Sequence, residues 1–131
     1  MLTYAEAHVL FQTARDKDAG KPLENNTRLI QFHTGDVEDL PAYGIKLHDT
    51  VIVRIYPDGD YRLTSGGWRT KLTAERITSY SPVCISSVKR EWVVNAWTDK
   101  AVPFTDGMLV TADTVRAVIL RMDNHKVYLT A

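Results

Sequence analysis

The stretch IKLHDTVIVRIYPDGDYRLTSGG, residues 45–67, gives the clearest indication of the fold. Apolar residues recur at every second position of its first half, as expected of a strand with one buried face. Those residues are Val51, Val53 and Ile55. The Pro57–Gly59 segment then supplies a turn, because proline fixes φ and glycine accepts positive φ. With a return strand from Tyr61 to Thr64, the stretch predicts an antiparallel hairpin.

The amino-terminal segment predicts a helix. Thr3 and Glu6 form a T-x-x-E capping box, in which the two side chains satisfy backbone donors at a helix start. The apolar residues behind it repeat at helical spacing. They are Tyr4, Ala7, Leu10, Phe11 and Ala14. We expect a helix from about Thr3 to Asp18, ended by the glycine and proline of residues 20–22, with residues 23–26 as a connector.

The rest of the chain alternates strand-forming runs with turn signals. The expected strands are residues 27–33, 83–88, 91–97, 108–111 and 126–130. Residues 35–44 are expected to form a loop. Thr73 is expected to cap a short helix that runs to about Tyr80 and is stopped by Pro82. Turns are expected at Lys89–Arg90 and Asp106–Gly107.

The carboxyl-terminal segment has two interpretations. Asp113 could cap a helix whose apolar residues recur at helical spacing, although the run is β-branched enough for a strand. Those residues are Val115, Val118, Ile119 and Met122. The spacing slightly favours the helix, followed by a turn at Asp123–Asn124. Residues 1–131 are therefore predicted to form a single α+β domain: an antiparallel β-sheet with an N-terminal helix and one or two short helices on one side.

The composition excludes several classes of protein. Lys plus Arg number 16 and Asp plus Glu number 16, so no overall charge attracts nucleic acid or an anionic membrane. A hydrophobic content of 44% argues against disorder. A single cysteine excludes an internal disulfide. No signal peptide or long apolar segment is evident, so we expect a cytoplasmic protein that does not enter a membrane.

Catalytic patterns are hard to find. The four histidines lack ligand spacing, and no nucleophile elbow, P-loop or zinc-protease motif occurs. His48 and Asp49 are adjacent, and adjacent strand residues point to opposite faces, so they are not expected to act together. Cys84 is expected to be an inert buried thiol. The acidic residues of the 36–39 segment fit a solvated loop better than a cation site. We therefore expect no enzyme, no metal and no cofactor.

The segment that follows the hairpin, TSGGWRTKLTAERI, combines features of a phosphate and base site. Paired glycines let a ligand approach the backbone, a helix start directs N–H groups at anions, and an indole can stack on a base. The candidate ligand-binding residues are Gly66, Gly67, Trp68, Arg69, Thr70, Lys71, Thr73, Arg76 and Tyr80. The expected ligand is small and anionic or nucleotide-like.

A purely structural interpretation of the same segment stays open. The glycines could form only a turn, Trp68 could fill the core, and Arg69 could pair with an acid of the 36–39 segment.

Several strings resemble a group of small accessory proteins of unknown function encoded by tailed bacteriophages. They are NTRL (26–29), LHDTVIV (47–53), YPDGDYRLTSGGWRT (56–70), TAERI (73–77), YSP (80–82) and FTDGM (104–108). The most specific part is S-G-G-W-R-T followed by T-x-x-R-I. In that group a small polar residue is usual where this chain has Leu72. The resemblance implies a phage protein made in the cytoplasm of a bacterial host cell, and it supplies no catalytic or binding residues.

Together these features favour a non-enzymatic phage accessory protein that binds a phosphorylated or nucleotide-like ligand, for example to sequester a host defence signal. One alternative is a module that inhibits a host defence protein through an exposed edge strand or aromatic patch. Another is a single-stranded nucleic-acid binder that uses basic residues and aromatics of the sheet. Those residues are Arg54, Arg62, Lys89 and Arg90. A hydrolase assembled across the fold is the least favoured, and a homo-oligomer is expected to be feasible through edge pairing.

Overall fold

The computed structural model describes residues 1–33, 40–99, 101–111, 117–122 and 125–130. Its two helices are α1 (Tyr4–Phe11) and α2 (Lys71–Tyr80). Its strands are β1 (Lys21–Glu24), β2 (Thr27–His33), β3 (Pro41–Leu47), β4 (Thr50–Ile55), β5 (Asp60–Leu63), β6 (Ile85–Val88), β7 (Glu91–Val94), β8 (Val102–Pro103), β9 (Met108–Thr111), β10 (Ala117–Met122) and β11 (His125–Thr130).

These strands form two antiparallel sheets. The larger has eight strands in the order β1-β2-β3-β4-β5-β9-β10-β11, and the smaller has three in the order β6-β7-β8. The predicted α+β fold with an N-terminal helix is confirmed. Within the described residues, neither helix has the length and apolar character required to cross a membrane.

The predicted central hairpin is present as β4 and β5. Tyr56 N–H donates to the Asp60 carbonyl across the turn at 3.0 Å. Val53 and Ile55 are fully buried as expected, but Val51 is only half-buried. The reason is a bulge in β4. Val51 lies opposite Lys46 and Val53 lies opposite Ile45, so two steps along β4 correspond to one step along β3. The extra residue of β4 is Ile52, which is buried in place of Val51.

Both helices pack on one face of the larger sheet, as predicted. Tyr43 of β3 lies on that face, and its ring is 5.7 Å from the ring of Phe11 in α1. Thr27 of β2 lies on the same face, opposite Leu47, and its hydroxyl accepts a hydrogen bond from Arg76 of α2 at 3.0 Å. The core therefore lies between this face and the two helices.

The smaller sheet packs against α2 through β6. Lys89 and Arg90 join β6 to β7 with φ values of 52° and 68°, the left-handed pair typical of a tight hairpin turn. Ile85 N–H donates to the Thr78 hydroxyl of α2 at 3.0 Å. This contact fixes the hairpin against the helix, and the predicted turn at Lys89–Arg90 is confirmed.

Helix α1 begins as predicted and ends early. The capping box is complete, with Glu6 N–H donating to Thr3 Oγ1 at 3.1 Å and Thr3 N–H donating to Glu6 Oε1 at 3.0 Å. However, the helix ends at Phe11 and not near Asp18. The carboxylate of Asp16 accepts the backbone N–H groups two and three positions further on, at 3.0 and 3.2 Å. Such local bonds offer the backbone an alternative to the helical pattern.

Two predicted connections are strands. Half of the expected connector at residues 23–26 belongs to β1. The proline of β1 is tolerated because β1 is an edge strand. The expected loop at residues 35–44 was wrong from Pro41 onward, since β3 starts there and pairs on both sides. Residues 35–39 of that loop lie outside the described residues. Pairing with two neighbours outweighs the weak strand propensity of the P-A-Y-G sequence.

Two further boundaries differ from the prediction. Thr70, not Thr73, caps α2, and its hydroxyl accepts the Thr73 N–H at 3.2 Å. The favoured tail helix was wrong, because residues 117–122 form β10, paired with β9 on one side and β11 on the other. Asp113, Val115 and the expected 123–124 turn lie outside the described residues. The final strand at 126–130 is confirmed within β11.

Candidate functional site

The Thr64–Thr70 loop joins β5 to α2. Gly66 and Gly67 both have positive φ, 62° and 87°. Gly66 N–H donates to the Thr64 hydroxyl at 3.1 Å, and Gly67 N–H donates to the Ser65 hydroxyl at 3.2 Å. The two glycine N–H groups, which the sequence suggested for an anion, therefore already have acceptors inside their own loop.

Gly66 also lets the loop approach β4. A Cβ atom at this position would lie 2.4 Å from Cγ2 of Thr50, closer than any real carbon contact. A Cβ at Gly67 would meet nothing within 4 Å. The two glycines thus differ in role: Gly66 permits a close approach, while Gly67 supplies only the backbone angle.

A carboxylate from the turn before β9 holds the loop in place. Asp106 Oδ1 accepts hydrogen bonds from the backbone N–H of Ser65 at 2.7 Å and from the Ser65 hydroxyl at 2.8 Å. The Thr64 hydroxyl lies 3.4 Å from the same oxygen. Ser65 is fully buried, so this carboxylate satisfies a donor that water does not reach. We call these contacts, together with Arg69, the Asp106 latch.

Arg69 completes the latch. Its Nη2 lies 3.7 Å from Asp106 Oδ2, and both side chains are about half-exposed, at 42% and 44%. Its guanidinium also lies 5.4 Å from the ring centre of Trp92 and 5.2 Å from that of Phe104. Asp106 and two aromatic rings therefore hold Arg69, while residues 36–39, the expected source of its acidic partner, lie outside the described residues.

The environment of Asp106 lowers its pKa. Partial burial alone would raise the pKa, because desolvation penalises the charged form. The hydrogen bonds from the Ser65 N–H and hydroxyl, the charge of Arg69 and the Thr64 hydroxyl outweigh that effect. The carboxylate is therefore ionised at neutral pH and acts as an acceptor only.

A groove of about 450 Å³ lies beside the loop, between the β3–β4 turn and the start of α2. Apolar side chains and hydroxyl groups dominate its walls. The wall on the sheet side comprises Leu47, His48, Asp49, Thr50 and Ile52, and the opposite wall comprises Ser65, Trp68, Thr70, Leu72 and Thr73. Trp68 is 66% exposed, so the alternative in which it fills the core was wrong. Its indole is available to a ligand in this groove.

The remaining candidate residues lie elsewhere around α2. Arg69, Lys71 and Arg76 line a second groove of about 750 Å³, between α2 and the β6–β7 hairpin. There, Arg76 pairs with Glu24 at 3.0 Å, in addition to its bond to Thr27. The sequence placed these cations beside Trp68, whereas the structure separates them from its groove.

Tyr80 lies at the other end of α2. At 1.5 Å of rise per residue it is about 14 Å along the helix axis from the first turn. Its hydroxyl donates to the carboxylate of Glu24. Burial, and then the hydrogen bond and charge of Glu24, raise the pKa of Tyr80. Tyr80 is therefore part of the packing between α2 and β1.

The sequence did not reveal the sheet side of the Trp68 groove. His48 and Asp49 form the β3–β4 turn, where His48 has a φ of 54°. Both side chains are exposed at the groove, so the rule that adjacent strand residues diverge does not apply to them. The only available signal was the polar H-D pair between two strand-like runs, which is typical of a turn.

Cys84 is exposed, contrary to the expected burial. It precedes β6, and its backbone bonds with Asn95 in both directions, through Asn95 N–H to the Cys84 carbonyl at 2.8 Å and through Cys84 N–H to Asn95 Oδ1 at 3.1 Å. In the part of the chain that the structure describes, no group of three His, Cys, Asp or Glu side chains is arranged to hold a metal ion.

Comparison with known proteins gives no relative. No protein-family model matches this chain, and no curated protein or solved structure matches it either.

Proposed function

We propose that this protein is a non-enzymatic binding protein that takes a planar, nucleobase-like group of a small ligand into the Trp68 groove. The observation that carries the proposal is the position of Trp68. It is two-thirds exposed on a loop whose conformation the Asp106 latch fixes, and it borders a groove with apolar walls. A large apolar side chain that is held outside the core, next to an open groove, is typical of a binding surface.

The walls of the groove suit a base. Leu47, Ile52 and Leu72 offer apolar contact, while Thr50 offers a hydroxyl group that can both donate and accept. A base has the same combination of a flat apolar face and polar edges. Stacking of a base on an aromatic side chain is worth about 1–3 kcal/mol.

A phosphate on the ligand would lie at the start of α2. The first backbone N–H groups of any helix lack acceptors within the helix, and the helix dipole favours an anion there. Thr70 satisfies the N–H of Thr73, which leaves the N–H groups of Lys71 and Leu72 for a ligand. Arg69 and Arg76 are excluded from this role, because Asp106 and Glu24 already pair with them.

The phage setting suggested by the motif fits a protein that sequesters a small signalling molecule in the host cytoplasm. A module that blocks a host protein is a second candidate, and Trp97 favours it. Trp97 is 89% exposed in the turn after β7, where it has a φ of 71°, and it does not line the Trp68 groove. Exposed tryptophans are frequent anchors in protein interfaces.

Titration calorimetry with a panel of cyclic, linear and mononucleotides tests the first proposal. We expect at least one ligand to bind with a Kd well below 1 mM. We expect Trp68→Ala to weaken binding by about 1–3 kcal/mol, which is a factor of roughly 5–150. Trp97→Ala is the matched control, since it removes an indole that is even more exposed and does not line the groove.

Two results contradict the proposal. One is the absence of heat and of thermal stabilisation with every ligand of the panel at millimolar concentration. The other is equal loss of affinity in Trp68→Ala and Trp97→Ala, which would show that the groove has no special part in binding.

A further inference from the structure

The face of the larger sheet that points away from the helices carries aligned basic residues. Arg54 of β4 lies directly opposite Arg62 of β5, and Arg28 of β2 lies directly opposite Lys46 of β3. Residues opposite each other on antiparallel strands share a face. All four alternate with residues that point into the core, such as Val53 beside Arg54. The four cations therefore share one surface, which we call the basic face.

No carboxylate neutralises these cations in the part of the chain that the structure describes. Arg62 donates to the Gly107 carbonyl at 3.1 Å, and Arg28 donates to the Gly20 carbonyl at 3.4 Å. A carbonyl orients a guanidinium and leaves its charge intact.

This arrangement opposes stability. Like charges that face each other across two strands cost up to about 1 kcal/mol, and an acid at either position would remove the cost. The whole chain has zero net charge, so any attraction of a polyanion depends on a local excess of cations such as this one. A local excess of this kind attracts a polyanion where the protein as a whole does not.

Aromatic rings accompany the cations. The guanidinium of Arg54 lies 5.9 Å from the ring centre of Phe32, and the ring of Phe32 meets that of Tyr56 edge-on at 6.3 Å. Both rings are half-buried, so each keeps part of its surface in solvent. Rings and guanidinium planes on an open sheet face are the groups on which unpaired bases stack.

We propose that the basic face binds single-stranded nucleic acid with little sequence preference. Arg28, Lys46, Arg54 and Arg62 contact phosphates, and bases stack on the platform of Arg54, Phe32 and Tyr56. An acidic protein would satisfy the cations but would leave the aromatic platform unused, so nucleic acid fits the surface better. This site is separate from the Trp68 groove, which lies on the opposite face beside α2.

Fluorescence anisotropy with a 20-nucleotide oligothymidylate, from 25 to 300 mM salt, tests the proposal on the full-length protein. Neutralising four phosphates predicts a slope of about −2.8 in log affinity against log salt, at roughly −0.7 per contact on single strands. The Arg54→Gln/Arg62→Gln variant should bind at least about ten-fold more weakly at low salt, and its slope should fall by about 1.4.

The Lys89→Gln/Arg90→Gln variant is the matched control. It removes two positive charges from the exposed β6–β7 turn of the other sheet and should bind as the unmodified protein does. Arg54→Lys keeps the charge and tests stacking separately: the salt slope should persist while the affinity falls.

Three results would overturn the proposal: no binding at 25 mM salt, affinity independent of salt, or equal losses in the two double variants. Thermal melting of each variant must show a folded protein. If the Arg54→Gln/Arg62→Gln variant does not fold, the single substitution Arg62→Gln should still reduce the slope by about 0.7, and an unchanged slope refutes the site.

Discussion

Removing the charge of Asp106 should lower the free energy of unfolding of the protein, although this residue lies in a surface turn. The latch joins two segments that are 37 residues or more apart in sequence, Thr64–Arg69 and Asp106. It supplies the acceptor for the backbone N–H and the hydroxyl of Ser65, which is fully buried. We consider Asp106→Asn and Asp106→Ala, which remove the charge and the acceptor respectively.

The magnitudes follow from the contacts. Asp106→Asn keeps an acceptor for Ser65 but loses the extra strength of a charged acceptor, about 1 kcal/mol. Its ion pair with Arg69 adds at most about 0.5 kcal/mol, because both side chains are over 40% exposed. Asp106→Ala leaves the buried donors of Ser65 unsatisfied and should cost about 2–3 kcal/mol.

Urea denaturation at pH 7, 5 and 3 measures these differences. The folded-state pKa of Asp106 is lowered, so its contribution is complete above the unfolded pKa of about 3.9 and is lost as the pH falls through the folded value. The gap between the unmodified protein and Asp106→Asn should be equal at pH 7 and 5 and smaller at pH 3. Asp18→Asn, at an exposed carboxylate, should change stability by less than about 0.5 kcal/mol.

Two outcomes would refute this reasoning. The first is an Asp106→Asn variant as stable as the unmodified protein at pH 7. The second is a gap that stays as large at pH 3 as at pH 7, which would mean that the charge of Asp106 is not what stabilises the loop.

Two further predictions concern the same loop. Gly66→Ala should destabilise the protein by more than about 2 kcal/mol, because its Cβ would lie 2.4 Å from Thr50 and its φ is positive. Gly67→Ala should cost only about 1 kcal/mol, because only its φ is unfavourable. Thermal melting should show the larger drop in melting temperature for Gly66→Ala, and equal drops would contradict the packing argument. Thr70→Ala removes the acceptor for the Thr73 N–H and should lower the free energy of unfolding, measured in urea, by about 1 kcal/mol. Thr70→Ser keeps a capping hydroxyl and should cost less. An Ala variant as stable as the Ser variant would show that the Thr70 hydroxyl does not stabilise α2.

The sequence predicted the elements that local chemistry determines. The Thr3–Glu6 capping box, the Pro57–Gly59 turn and the Lys89–Arg90 turn all depend on residues close together in the chain, and all three are present. Their energies come from side chains adjacent to the backbone groups that they satisfy, so a single sequence contains the necessary information.

Elements that depend on distant partners were less predictable. The run at 117–122 has both helical spacing and β-branched residues, and β9 and β11 on its two sides decide in favour of a strand. The P-A-Y-G start of β3 is a strand for the same reason. The strands that pair with β3 and β10 cannot be identified from the local sequence, because the packing of the whole sheet determines which strands are neighbours.

The candidate site divides along the same line. The exposed position of Trp68 and the helix start after it agree with the pattern that the sequence suggested. The position of Arg69 does not follow from that pattern, because Asp106 is 37 residues away along the chain and competes for its charge. A motif shows which groups are adjacent in sequence, but the acids that pair with its cations can lie far away in sequence and are brought close only by folding.

This division explains how one short motif can combine structural residues with a residue of the proposed binding site. Ser65 is bonded to Asp106, Gly66 lies close to Thr50, and Arg69 lies over the rings of Trp92 and Phe104. These contacts determine the shape of the loop. The side chain of Trp68, between them, has no such contact with the described residues and is 66% exposed. A rigid loop loses little entropy when a ligand binds, so the latch, whose Ser65 belongs to the wall of the groove, would increase the affinity of the proposed site. Loosening the latch should therefore weaken ligand binding at Trp68 even while Trp68 itself is unchanged.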